Sequence, residues 1–428
     1  MRPPAHLQAV IELLTDIDAT PRPADALVSA YFRSRRYIGS SDRGAVSTML
    51  YDVLRHRARM DWWVDYLGGQ KTDIRLRLLT YLTLVQKKSA AEIDEFFDSH
   101  KFSPDELSGD ERRFIKKLEG RTLEHPNMPI EISVECPEWA ATSLHKRFGK
   151  KFAAQMKALL DPAPLDVRIN PLRTTRDDIL VALKKIPITA EPCRYSGFGI
   201  RIKNRPSLNA LPMLKDGLIE IQDEGSQLVA ALVDAAPGMR VVDFCAGAGG
   251  KTLAIGAQMN NKGRIIACDV LEKRLTRSAE RFRRAGLHNI EVRPLKTEND
   301  PWVKKHKSDF DRVLVDAPCS GVGTWRRNPD ARWQTLGPGL DALLPLQASI
   351  LDSASRLVKS GGRLIYATCS LLPEENEKQI ERFLADHSDF SVINCGEFLK
   401  ISSPSPYLSL TPFEHNTDGF FGAVLLRA

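Results

Sequence analysis

The chain of 428 residues has no Cys-x-x-Cys pair among its seven cysteines, which removes the usual spacing of a structural zinc site. It has no apolar run of roughly 20 residues, the length a membrane-crossing helix needs. The start, Met1-Arg-Pro-Pro-Ala, leads into an amphipathic stretch with Glu12, Asp16 and Asp18, unlike a secretory signal peptide. Scattered cysteines without such a signal read as reduced thiols in a cytosol. The expectation is therefore a cytoplasmic protein with no membrane and no metal, and a monomer by default. Internal repeats and low-complexity tracts are also absent. Acidic side chains are in deficit, 54 against 61 basic ones, and the net charge of +7 favours a polyanionic partner.

What is present suits a soluble globular protein, with 43% apolar and 27% charged residues. The length implies two or three domains. Residues 1–145 read as helical, with Val46, Met49, Leu50, Val53 and Leu54 at helical spacing behind a cap at Ser40 or Ser41. Further helical patterns cover 78–85 and 93–97. Arg33, Arg35, Arg36, Arg43, Arg55, Arg57 and Arg59 face only Asp42 and Asp52 in their stretch, with Tyr31, Tyr37, His56, Trp62 and Trp63 among or beside them. Two readings stand there: a solvated helix face over core aromatics, or a phosphate-binding surface. Residues 146–235 form a small α/β module, with strands at 165–169, 200–202 and 218–221 and a helix at 177–185 capped by Thr174 or Thr175. Residues 236–428 alternate strands and helices. Strands are expected at 240–244, 264–268, 290–293, 312–315, 363–366, 391–394 and 422–427. Helices separate the first six, which predicts a mainly parallel, doubly wound sheet; the last two strands would form an antiparallel edge.

Val241-Val-Asp243-Phe-Cys245-Ala246-Gly247-Ala248-Gly249-Gly250-Lys251-Thr252 is a strand, a glycine turn and a helix start. Glycines let backbone approach a ligand, and a helix N-terminus favours an anionic group. Asp269 ends the next strand 26 residues after Asp243 (269 − 243), where an acid suits ribose hydroxyls. A Walker loop would need glycine at position 245, which is cysteine. A dinucleotide fingerprint would need a third glycine at 252, which is threonine. An S-adenosylmethionine site uses the same strand, loop and acid without either fixed pattern.

Two further stretches place a cysteine just past an apolar, β-rich run: Asp316-Ala-Pro-Cys319-Ser-Gly and Thr368-Cys369-Ser370. Ligands of open α/β sheets bind at the carboxyl ends of strands, and a thiolate there attacks electrophilic carbon readily. Methylating C5 of a pyrimidine needs two such groups. One thiolate adds to C6 and makes C5 nucleophilic; a base then removes the C5 proton so that the sulfur leaves. Asp316 is placed to hydrogen-bond the ring, with Lys251 close by across the first strand end. Cys245 and Cys268 also lie at strand ends and are read as packing residues. Cys136, Cys193 and Cys395 carry no assigned role.

These residues resemble the RNA cytosine-C5 methyltransferases of the RsmB/Sun family. Asp316-Ala-Pro-Cys319-Ser-Gly-Val-Gly-Thr looks like the family's fourth motif, Tyr366-Ala-Thr-Cys369-Ser its sixth, and Asp243 to Thr252 its cofactor motif. Gln222-Asp-Glu-Gly-Ser-Gln227 and Asp418-Gly-Phe-Phe421 match flanking motifs. The stretch from Arg43 to Arg55 looks like the helical domain similar to the antitermination factor NusB. The resemblance implies a Rossmann-like methyltransferase domain preceded by a small α/β, RNA-recognition-like subdomain and an all-α NusB-like domain. It implies S-adenosylmethionine as cofactor, held by Cys245, Ala246, Gly247, Ala248, Gly249, Gly250, Lys251, Asp269 and Asp316. It further implies Cys369 as nucleophile, Cys319 assisting release, and Asp316 and Lys251 around the base. Arg326-Arg-Asn-Pro-Asp330 looks like a substrate-side element. The implied substrate is RNA, small-subunit (16S) ribosomal RNA ahead of transfer RNA; a ribosome-assembly factor without turnover is the alternative of another class. The chain departs from the family in carrying Gly247-Ala248 where Ala-Pro is common. It also has no acid in Arg293-Pro-Leu-Lys-Thr297, the nearest being Glu298 and Asp300.

Overall fold

Among the described residues no strand forms before Leu165. The computed structural model describes residues 1–204, 211–333, 337–399, 401 and 405–428. The chain divides into two units, residues 1–161 with 325–337, and residues 162–324 with 338–428. No described helix is long and apolar enough to cross a membrane.

The first unit is all helical. Helix Pro3–Ala19 buries Leu7, Val10, Leu13, Leu14 and Ile17, the one-sided stripe that drives an amphipathic helix onto a core. Helix Ser40–Arg55 buries Val46, Leu50, Val53 and Leu54 as its spacing predicts. Its start differs from expectation: Gly39 stands at the N-cap with no side-chain cap, and Ser40 is already helical. Asp42 in that first turn instead accepts from His6 and from the terminal amine. Much of the arginine run is turned inward. Arg59 pairs with the fully buried Glu135 at 2.9 Å, Arg57 with Asp18 at 2.8 Å and Arg35 with Glu12 at 3.2 Å. Arg43 and Arg55 donate to the carbonyls of Ile38 and Leu160.

Residues 325–337 also belong to this unit. Trp325 is fully buried, edge-on to Trp139, and Arg332 donates to the carbonyls of Glu135 and Leu159. Asp330 accepts from the Ala24 amide. Asp330, the last residue of the stretch expected on the substrate side, and Arg332 just beyond it thus anchor this segment among helices.

The second unit opens with a four-stranded antiparallel sheet of β1 (Leu165–Ile169), β2 (Ala190–Pro192), β3 (Gly199–Ile202) and β4 (Ile219–Ile221), in the order β2-β3-β1-β4. Helix Arg176–Lys184 covers it, with Thr175 and Asp178 in a reciprocal capping box. The large sheet follows: β5 (Arg240–Asp243), β6 (Arg264–Asp269), β7 (Ile290–Pro294), β8 (Phe310–Asp316), β9 (Val358–Thr368), β10 (Phe390–Ile393), β11 (Leu408–Leu410) and β12 (Phe420–Arg427). Its order is β10-β12-β9-β8-β5-β6-β7, with β11 on β12. Strands β5 to β9 run parallel; β12 is antiparallel to both β9 and β10. Val313, Leu314 and Val315, like Leu364, Ile365 and Tyr366, are fully buried, as strands covered on both faces must be. All seven expected strands are present. The last two pair antiparallel at one end of the sheet, with β10 outermost and β11 also on β12. The connection between them carries β11 and the short helix Pro412–His415.

Candidate active site

Strands β8 and β9 are neighbours, with Asp316 opposite Ala367. The chain turns just past each, and the two turns meet. Cys319 Sγ lies 3.4 Å from Cys369 Sγ, and one residue on, Ser320 Oγ lies 3.3 Å from Ser370 Oγ. The Gly323 amide donates to the Cys369 carbonyl at 2.9 Å, and the Gly419 amide to the Gly323 carbonyl at 2.8 Å. A side chain at Gly323 would sit 2.2 Å from the Gly419 carbonyl oxygen, so this backbone approach needs glycine.

A buried polar clamp behind the turns holds them. Glu375, fully buried, accepts from the Ser320 amide (2.8 Å), the Ser320 hydroxyl (2.5 Å) and Gln347 Nε2 (2.9 Å). Gln347 Nε2 also donates to the Pro318 carbonyl. Asn376 accepts from Thr368 Oγ1 and donates to the Ser370 carbonyl; Tyr366 donates its hydroxyl to the Glu375 carbonyl. Sequence reasoning missed Glu375, Asn376 and Gln347. The polar run Pro373-Glu-Glu-Asn-Glu377, four residues past Cys369, was the available signal for the first two; Gln347 had none.

Lys251 Nζ donates to Asp316 Oδ2 at 2.7 Å, so the residue pair expected across strand ends is in contact. Burial pulls the lysine's pKa down, but the charge and hydrogen bond of Asp316, then the negative charge of Cys369 and Asp243, outweigh it and raise it. The Cys319 thiol is pushed well above its ordinary range, first by its hydrogen bond to Cys369 and then by burial. In the contact between the two sulfurs either thiol can donate.

The glycine loop lies beside this pair. Gly247 (φ +54°) and Gly249 (φ +78°) are left-handed, and helix Gly250–Gln258 starts from the second. A side chain at Gly249 would strike the Phe282 ring. Asp269 accepts from the Gly247 and Leu271 amides, both at 2.8 Å, and so holds the loop onto the end of β6. Asp243 accepts from Thr252 Oγ1 at 2.6 Å; its other oxygen is buried without a partner, and the carboxyl is pushed up to about 7, chiefly by burial. Cys268 is fully buried, and Cys245 packs partly buried against the same core. Glu298 accepts from Ser349 Oγ, and Asp300 caps helix Pro301–Lys305 through the Trp302 amide, so both acids beyond β7 are engaged in structure.

These features fit S-adenosylmethionine. The left-handed loop leaves open space at Gly247, Asp243 at the end of β5 keeps one oxygen without a partner among the described residues, and the following helix begins with no side-chain cap on its amides. A parallel sheet with this loop at its first strand end and paired thiols beside it defines an S-adenosylmethionine-dependent methyltransferase.

Comparison with known proteins narrows the class. Residues 230–426 match the model of the 16S rRNA methyltransferase RsmB/F family, and residues 136–209 match a ferredoxin-like domain of RsmF/B-like methyltransferases. A probable ribosomal RNA small subunit methyltransferase B of Synechocystis sp. is 32% identical over 98% of this chain and 99% of its own. The crystal structure of PH0851 shares the fold over 100% of this chain and 99% of its own, at TM-score 0.80 and 24% identity. A methyltransferase homolog from Pyrococcus horikoshii matches at TM-score 0.61 and 27% identity, over 71% of this chain and 100% of its own. The chain belongs to the RsmB/F family of 16S rRNA methyltransferases.

Proposed function

We propose that this protein methylates C5 of cytosine in RNA, with small-subunit ribosomal RNA as substrate, through a covalent adduct between Cys369 and C6. The observation that carries the reading is the 3.4 Å contact of two thiols on adjacent strand ends. In this reading Cys369 attacks C6 as thiolate. Asp316, whose Oδ1 has no hydrogen-bond partner among the described residues, accepts from the cytosine amino group, and the Lys251 ammonium stabilises charge spreading into the ring. Bound S-adenosylmethionine supplies the methyl group that C5 attacks. Once Cys369 sulfur is bonded to C6 it is a neutral thioether, so the charge of Cys369 no longer raises Cys319. Cys319 then releases its proton to solvent and, as thiolate, takes the C5 proton; the C6–S bond breaks and Cys369 leaves as thiolate. Residues Cys245 to Gly250 and Asp269 hold the cofactor. The helical domain, taken as residues 1–145, and the small α/β subdomain at 146–235 engage the RNA, and residues 236–428 carry out the chemistry.

The test is incubation with methyl-labelled S-adenosylmethionine and unmodified 16S ribosomal RNA, followed by digestion to nucleosides. Labelled 5-methylcytidine is the expected product. Label in another nucleoside, or in transfer RNA alone, would overturn the base or the substrate respectively.

A further inference from the structure

Arg35, Arg57 and Arg59 of the helical unit's arginine run are paired with acids of that unit, and a second basic stretch, in the methyltransferase unit, is paired only in part. Helix Glu272–Ala285 carries Lys273, Arg274, Arg277, Arg281, Arg283 and Arg284 against only Glu272 and Glu280. Its buried face, Leu275, Ser278, Phe282 and Ala285, packs on the unit, with Phe282 filling the space beside Gly249. Arg281 and Arg284 pair with Glu220, and Arg281 also donates to the Ala248 carbonyl. Lys273, Arg274, Arg277 and Arg283 are exposed and have no ion pair among the described residues.

The placement of these cations works against the helix. Lys273, Arg277 and Arg281 are like charges four residues apart, which repel along one face. Lys273 and Arg274 sit at the N-terminal end, where the helix dipole disfavours positive charge. Glu220 offsets Arg281 and Glu272 shares the first turn, but Lys273, Arg274 and Arg277 keep no ion pair among the described residues. The helix starts just after Asp269, and the Leu295 amide donates to the Asp269 carbonyl, so exposed Arg293 and Lys296 at the end of β7 lie at the same edge of the sheet. Unpaired cations are therefore gathered beside the cofactor loop, at a cost to local stability that a polyanion would remove.

We propose that the outward face of helix Glu272–Ala285, with Lys273, Arg274 and Arg277 at its centre, binds RNA phosphates and holds the strand along the carboxyl edge of the sheet. This rests on the RNA reading above and adds where the backbone is gripped. Such contacts are independent of sequence and release counter-ions, so each phosphate contributes about 0.7–0.9 to the slope of log affinity against log salt.

The test uses the full chain, unmodified 16S ribosomal RNA and a salt titration. The triple variant Lys273→Gln, Arg274→Gln, Arg277→Gln should bind RNA about ten-fold more weakly at moderate salt, with a slope shallower by about 2–3. Its affinity for S-adenosylmethionine should be unchanged, which also reports an intact fold. If that affinity is lost, Arg277→Gln alone should still flatten the slope by about 0.7–0.9. Unchanged affinity and slope overturn the proposal, as does weaker binding to anionic lipid vesicles with RNA binding intact. Formation of 5-methylcytidine is scored in parallel. Product formed equally by both proteins with equal slopes sinks the surface and leaves the reaction; a flattened slope with no product from the parent protein sinks the reaction and leaves the surface.

Discussion

Four cysteines stand at or near the carboxyl edge of one parallel sheet, and only two of them meet. Cys268 is inside β6 with its thiol in the core, and Cys245 lies under the glycine loop among Asp243, Asp269 and Asp316. Burial first, and those carboxylates next, push Cys245 far up, so it stays a thiol with nothing to donate its proton to. Cys319 is also pushed up, but first by its bond to another sulfur. Position at a strand end thus does not make a reactive thiol. What sets Cys319 and Cys369 apart is a second thiol at 3.4 Å and a clamp that keeps it there, and the proposed reaction assigns the chemistry to that pair.

The largest effect should separate the members of the pair. Cys369→Ala should lower methylation by about a thousand-fold or more and leave no covalent RNA adduct. Cys319→Ala should slow turnover about a hundred-fold yet accumulate a denaturation-resistant RNA–protein band, because attack survives and release does not. Gel analysis of both variants with 16S ribosomal RNA decides it. A trapped band from Cys369→Ala instead would reverse the roles.

A smaller loss should follow from loosening the clamp. Every neighbour of the Glu375 carboxylate donates to it, so Glu375→Gln turns one oxygen into a competing donor. Stability should fall by about 1–3 kcal/mol. Turnover should fall about ten-fold, with KM for RNA little changed, because the residue positions the Cys319 turn and touches no substrate. Lower stability with full turnover would make the clamp a fold element only.

The large sheet was legible because its central strands are unbroken apolar runs such as Val313-Leu-Val315, and the thiols because each sits in a short motif past such a run. The clamp was not. Gln347 and Glu375 are 28 residues apart, and a buried acid surrounded by donors has the same letter as a solvated one. The partner of Arg59 was hidden for the same reason, since Glu135 comes 76 residues later. Strand β2, Ala190-Glu-Pro192, has neither alternation nor β-branched residues and exists through pairing with β3. The order β10-β12-β9 was hidden because it depends on which edge the last strand enters.

The glycine-loop side of the comparison can be probed by pH. The Asp243 carboxyl ordinarily titrates at 3.8 and is raised to about 7, first by burial, with Asp316 and Asp269 adding to the rise against Thr252 and Lys251. Between those values the folded protein keeps a proton that the unfolded chain has lost. The group's contribution to stability is complete below the unfolded value and disappears as pH rises through about 7. Asp243→Asn, which accepts from Thr252 without ionising, should flatten the fall in stability between pH 5 and 8 by on the order of 2 kcal/mol. Parallel melting curves for the two proteins across that range would refute the raised carboxyl.

The smallest effect should come from Cys268. It is fully buried in the same apolar core as Val242, Val315 and Trp302, and burial pushes its thiol far above its ordinary range. Cys268→Ala removes one packed sulfur, a loss of about 1–2 kcal/mol of stability, and leaves methylation and the RNA adduct as they were. Thiol alkylation of the native protein sharpens the same contrast: Cys369, the nucleophile of the proposed reaction, should be modified before Cys319, and Cys268 only after unfolding. If Cys268 were modified first, the division of the strand-end cysteines into a working pair and a packed pair would fail, because reactivity would then follow the strand end itself and not the meeting of the two turns.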